Sequence, residues 1–159
     1  MNTTTDLDAR IAHAVELFKS GFNCSQSVVC AFADLYGFTE EQALRMSASF
    51  GGGIGRMRQT CGAACGLFLL AGLETGCTNP SDREGKAANY AVVQELAERF
   101  RQVNGSLICA ELLGLKKENA TPPTPEARTA QYYAKRPCAK MVEEAARIWV
   151  EWLKERKIA

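Results

Sequence analysis

The stretch from Phe50 to Gly72 constrains the fold more than any other part of the chain. It begins with Gly51, Gly52, Gly53 and Gly55, a backbone free to take φ > 0 and to approach another group closely. Arg56 and Arg58 follow. Thr60 then reads as the cap of a helix that carries Cys61 in its first turn and Cys65 one turn later. Leu67, Phe68, Leu69, Leu70 and Leu73 continue that helix and leave it no polar face. Such a helix is too apolar for a surface, so other elements must surround it.

The flanking segments supply those elements. Leu7, Ile11, Ala14, Val15 and Phe18 recur at helical spacing, and Gly21 ends that first helix. Asn23 with Gln26 forms a capping box that opens a second helix, with Cys24 in its first turn and an expected end near Tyr36. Thr39 with Gln42 opens a third, running to about Phe50. The run Ser81-Asp82-Arg83-Glu84 reads as a capping box for a long helix with Ala88, Val92, Leu96, Phe100 and Val103 on one face, stopped at Asn104-Gly105. Ser106 caps a short turn with Cys109 near its start and Leu112 and Leu113 expected inside.

Residues 115–136 hold Pro122, Pro123 and Pro125 and are expected to form a surface excursion, with one short helical piece from Pro125 to Tyr133. Pro137 suits the first position of a last helix, whose stripe is Cys138, Met141, Val142, Ala145, Ile148, Trp149 and Trp152. The two tryptophans belong either to the core or to a homodimer seam. No segment alternates with period 2. The expectation is an all-α fold, a single domain over residues 1–159, with about six helices and a glycine-rich loop before a buried central helix.

A net charge of +1 gives no electrostatic case for nucleic acid or an anionic membrane. No apolar run approaches the roughly 18 residues of a membrane span, and the N-terminus lacks the pattern of a signal peptide. A cytoplasmic location is therefore expected. Seven cysteines are many for such a chain. Structural disulfides are disfavoured in that compartment, which points to metal binding or redox chemistry. The competing reading is that the thiols merely fill space in a core. With His13 the only histidine, on the first helix, no Ser/His/Asp constellation can be built.

Cys24, Cys61, Cys109 and Cys138 share a feature that Cys30, Cys65 and Cys77 lack. Each falls in the first turn of an expected helix, where free N–H groups and the helix dipole favour a thiolate. If the four ends converge, they make a four-cysteine pocket suited to an iron–sulfur cluster or a soft metal such as zinc. The same pocket suits thiols that cycle through a disulfide. There is no Cys-x-x-Cys pair and no haem-attachment motif. Cys30 is six residues from Cys24 and should not share its face. Cys65, four residues after Cys61, is a possible additional member or a packing residue. The glycine loop does not follow a strand and has no Walker lysine, so a nucleotide site is disfavoured. Its glycines let backbone amides approach the sulfurs, or a small anion together with Arg56 and Arg58. They could equally form a tight turn with solvated arginines.

Gly51-Gly52-Gly53-Ile54-Gly55-Arg56, followed by Cys61-Gly62-Ala63-Ala64-Cys65-Gly66, resembles the motif of the C_GCAxxG_C_C family of redox-active proteins. Cys24 in Phe-Asn-Cys-Ser-Gln-Ser-Val matches the first family cysteine, Cys61 the second, Cys109 in Ser-Leu-Ile-Cys-Ala-Glu-Leu-Leu-Gly the third and Cys138 the fourth. The resemblance covers about residues 10 to 155. It implies a small redox protein, and a related domain accompanies split-Soret-type cytochromes, where an iron–sulfur cluster is implicated. The haem motif is missing, so only the cysteine domain carries over. The expected centre is Cys24, Cys61, Cys109 and Cys138, supported by Gly51, Gly52, Gly53, Gly55, Arg56 and Gly62. It would hold an iron–sulfur cluster and exchange electrons with a partner protein. A thiol–disulfide couple and a non-catalytic metal-binding or sensor module built on the same four cysteines are the alternatives.

Overall fold

A computed structural model describes residues 3–115 and 122–158. Eight α-helices run in the order α1 (Thr3–Lys19), α2 (Cys24–Cys30), α3 (Glu40–Ser47), α4 (Gly62–Thr75), α5 (Arg83–Asn104), α6 (Cys109–Leu112), α7 (Ala130–Lys135) and α8 (Cys138–Ile158). Among the described residues there is no strand, and none of the helices is long and apolar enough to cross a membrane. The fold is all-α, as expected.

The apolar helix α4 lies at the centre. Gly62 through Leu67, with Leu70 and Ala71, are buried, and the helix packs against α2, α5 and α8. Phe18 of α1, Val28 of α2, Leu96 and Phe100 of α5, and Val142 and Trp149 of α8 complete one continuous cluster around it. The stripe expected on α8 is buried along its whole length. Trp149 stacks on Trp152 with ring centroids 5.1 Å apart, so both rings are intramolecular core.

Local signals act largely where the sequence places them. The Asn23–Gln26 and Thr39–Gln42 capping boxes both form, each with its reciprocal pair of hydrogen bonds. Several expected boundaries move. The second helix stops at Cys30 and continues only as a separate 3-10 turn over Ala33–Tyr36, because the chain bends to let Arg10 of α1 bind the Ala31 carbonyl and Asp34. The third gives way at Ala48–Phe50 to another 3-10 turn. Asp82, rather than Ser81, caps α5, its carboxylate accepting from the Gly85 N–H. Val103 and Ala88 of the α5 stripe lie exposed because the helix outruns the core at both ends. Leu112 and Leu113 are half-buried. The short piece expected at Pro125 to Tyr133 is α7, shifted to begin after the Thr129 cap. Residues 116–121 of the proline-containing excursion lie outside the described residues.

Candidate redox site

The site begins with a strained loop. Residues 51–59 fold back on themselves through Gly55 N–H to Ser49 O (2.7 Å) and Gln59 N–H to Gly53 O (2.9 Å). Three side-chain-bearing residues, Ile54, Arg56 and Arg58, take φ of 64°, 61° and 61°. Each such left-handed residue costs about 1–2 kcal/mol. Strain of this kind persists only where the surrounding structure over-determines it. Here a single antiparallel bridge does so: Thr60 pairs with Ile108, Cys61 N–H donates to Leu107 O at 2.6 Å, and Cys109 N–H donates to Gln59 O at 2.6 Å. The bridge sets the Cys61 and Cys109 segments side by side.

The same bridge corrects one expected boundary. Thr60 is engaged with Ile108, so the helix begins later; Cys61 is itself the N-cap of α4 and Gly62 the first helical residue. The Cys61 thiol meets the open N–H groups of Ala63 and Ala64. Cys24, Cys109 and Cys138 are the first residues of α2, α6 and α8.

These four cysteines line one cavity of about 60 Å³, walled also by Arg58, Arg128, Arg136 and Tyr132. Two glycines make the approach possible. A Cβ on Gly53 (φ +74°) would stand 2.5 Å from Cys109 Cβ, and one on Gly62 would meet Phe50 O at 2.9 Å and Cys24 Cβ at 3.3 Å. Gly51 and Gly52 border the adjoining cleft with Gly55 and Arg56. Cys65 is buried, but its thiol turns to Thr60 O at 3.7 Å and does not line the cavity. Cys30 faces a separate cavity beside Arg10 and Asp34, as its spacing from Cys24 required. Cys77 sits in the loop before α5, beside Asp82.

Electrostatics separate the four thiols. Burial pushes Cys61 up to about 12 despite its two N–H partners. Burial also raises Cys109, against the pull of Arg58, whose guanidinium donates to Cys109 Sγ at 3.6 Å. Cys24 and Cys138 are neighbours in the cavity. The interaction with Cys138, then burial, hold Cys24 as the thiol. The Cys24 hydrogen bond, with Arg136, Arg128 and Arg58 nearby, favours the thiolate at Cys138. Helix starts alone suggest four acidified thiols; desolvation raises Cys61 and Cys109 instead, and the Cys138 hydrogen bond together with burial raises Cys24. Arg128 and Arg136, which sequence spacing did not connect to the site, come from a segment more than 60 residues beyond the glycine loop. The run of arginines and aromatics around Tyr132 was the available signal.

A family of proteins described as "Putative redox-active protein (C_GCAxxG_C_C)" matches the chain over residues 22–152, most of its length. The chain belongs to this family. Its role is accordingly a redox one. A protein of Archaeoglobus fulgidus, described as uncharacterized, is 26% identical over 153 residues, covering 91% of this chain and 93% of its own. No solved structure matches the chain.

The donor set bears on which group the family cysteines could hold. Among the described residues, no three Cys, His, Asp or Glu side chains converge on a point that could hold a metal ion. A tetrahedral zinc needs four sulfurs about 2.3 Å from one centre, which this arrangement does not provide. Four thiols lining one cavity are the type of donor set an iron–sulfur cluster would take, its own irons and sulfides occupying the space between ligands.

Proposed function

We propose that the protein is a cytoplasmic electron-transfer protein whose centre is an iron–sulfur cluster held by Cys24, Cys61, Cys109 and Cys138. The observation that carries this reading is the arrival of four helix starts, each with a cysteine, at one arginine-walled cavity. A bound cluster supplies one-electron chemistry. The chain supplies the rest: four thiolates as ligands, N–H groups of Ala63 and Ala64 at Cys61, and three guanidiniums that offset the negative charge thiolate ligands bring. All seven cysteines stand as free thiols. Electrons would pass to and from a partner protein.

The contact between Cys24 and Cys138 supports a second reading. The Cys138 thiolate attacks one sulfur of an external disulfide, forming a mixed disulfide and releasing one thiolate. The Cys24 thiol then loses its proton and attacks Cys138 sulfur, leaving an internal disulfide and a second released thiol. Two electrons and the matching protons pass to the external disulfide.

One preparation separates the two. Protein purified without oxygen is analysed for iron, acid-labile sulfide and visible absorption, with Cys61→Ser and Cys65→Ser variants alongside. The cluster reading expects iron and sulfide in matching amounts, lost in Cys61→Ser and retained in Cys65→Ser. Protein free of iron and sulfide, with a reversible Cys24–Cys138 disulfide found by mass spectrometry, would replace it with the second.

A further inference from the structure

The cysteine cavity opens beside a larger cleft of about 380 Å³, and the two share Arg58, Arg128, Tyr132 and Arg136. Arg56 adds a fourth guanidinium to this outer cleft. In a chain whose net charge is only +1, four arginines around one concavity are a concentrated positive field. The volume falls within the range of small-molecule sites, roughly 300–1,000 Å³. Strain is also spent here, since Arg56 and Arg58 are two of the three non-glycine residues held in the left-handed region among the described residues.

One carboxylate stands among these cations. Glu126 is paired with Arg136 and lies 3.8 Å from Arg56. Both arginine side chains are only 17% exposed, whereas Glu126 is half exposed. The other two cations are positioned differently: Arg128 donates to the Phe18 and Phe22 carbonyls and lies over the Phe18 and Tyr132 rings, and Arg58 reaches Cys109. The two guanidiniums are largely enclosed, and Arg56 also donates to Pro122 O at 2.6 Å, so they are the fixed part of the pair and the carboxylate is the part that can swing into water.

We infer that this cleft is a binding site for a small organic anion presenting a carboxylate, with Arg56 and Arg136 as its clamp and Glu126 as an internal stand-in that the ligand displaces. A planar carboxylate matches the forked donors of a guanidinium. The ligand's remaining atoms lie against Tyr132 and the glycine loop, at the mouth of the cysteine cavity. This inference rests on the cleft's own residues, so it is read by binding rather than by electron transfer.

The test titrates malonate, with neutral malonamide as the control, into reduced protein by calorimetry at low salt. Iron, sulfide and free thiols are measured on the same samples, so failure of the cluster reading is seen separately. Malonate should bind saturably and malonamide should not. Glu126→Gln should tighten malonate severalfold by removing the competitor, and Arg136→Gln should weaken it by about tenfold or more, the loss of one charge-assisted contact. The exposed Arg45→Gln, whose side chain does not line the cleft, should change nothing. Glu126→Gln alters a half-exposed side chain, so it keeps the test decisive even if Arg136→Gln fails to fold. The inference is overturned by malonate binding that Glu126→Gln leaves unchanged or weakens, by an equal loss in Arg45→Gln, or by no saturable binding at all. It is also overturned if a hexaglutamate peptide binds and malonate does not, which would make the cleft a docking surface for an acidic protein.

Discussion

At Gly53 two constraints meet: a left-handed backbone and a side chain pressed against it. Substitution separates them by comparison with Gly55, which is also left-handed (φ +58°) but meets only Ser49 O at 3.9 Å. Gly55→Ala should lower stability by about 1–2 kcal/mol, the backbone contribution alone. Gly53→Ala should lose that and about 1–3 kcal/mol more, because its Cβ would stand 2.5 Å from Cys109 Cβ and 2.8 Å from the backbone of Arg58 and Gln59. Urea denaturation of the two variants measures the difference. Alkylation of Cys109 should quicken in Gly53→Ala only. Equal losses in both would mean that the loop yields without disturbing the cysteine.

Among the elements, α1 is fastened to the turn after α2 by one bidentate pair. Arg10 donates to the two Asp34 carboxylate oxygens at 2.5 and 3.0 Å. The Arg10 hydrogen bond holds the Asp34 carboxyl below its usual range. The folded value is the lower one, so the pair's contribution is present above the unfolded aspartate value of about 3.9 and vanishes as pH falls through the folded value. Asp34 is largely exposed, and solvent screening keeps the contribution small. Asp34→Asn should therefore be slightly less stable than the parent at pH 7, and the two urea midpoints should converge below about pH 3. A constant gap across that range would assign the effect to packing. At this scale much was legible from the sequence. Asn23, Gln26, Thr39 and Gln42 announce their caps through side chains that satisfy N–H groups nearby, and short-range chemistry is written in short-range order. Thr60 could not be read so, because its partner Ile108 is 48 positions away and claims it for a bridge. The grouping of Cys24, Cys61, Cys109 and Cys138 was legible because each marks a helix start. Their unequal acidity was not, since burial depends on which helices pack over each sulfur.

For the whole molecule, the main core is one cluster with α4 inside it, beside a small second group of Val29, Ala33 and Ala43, so damage to the main cluster should register in every helix that builds it. Trp149 is fully buried and packs on Trp152. Trp149→Ala should lower global stability by about 3–5 kcal/mol. Helix content by circular dichroism and Cys138 protection from alkylation should be lost in one coincident transition. Separate transitions would show that α8 unfolds independently of the cysteine cavity.

The bridge, the loop and the thiol contact together determine when the centre can exist. Its cysteines arrive from positions 24, 61, 109 and 138, and the last of them, at the start of α8, completes the lining of the cavity. During synthesis the earlier helices emerge first and can begin to pack. Yet nothing made from the first 137 residues contains the fourth cysteine. Until α8 docks, Cys24 lacks its neighbour, and α4 stands uncovered on the side that α8 occupies. Assembly of the four-cysteine cavity is thus a late event in the life of the chain, and a complete cavity reports that α8 has docked.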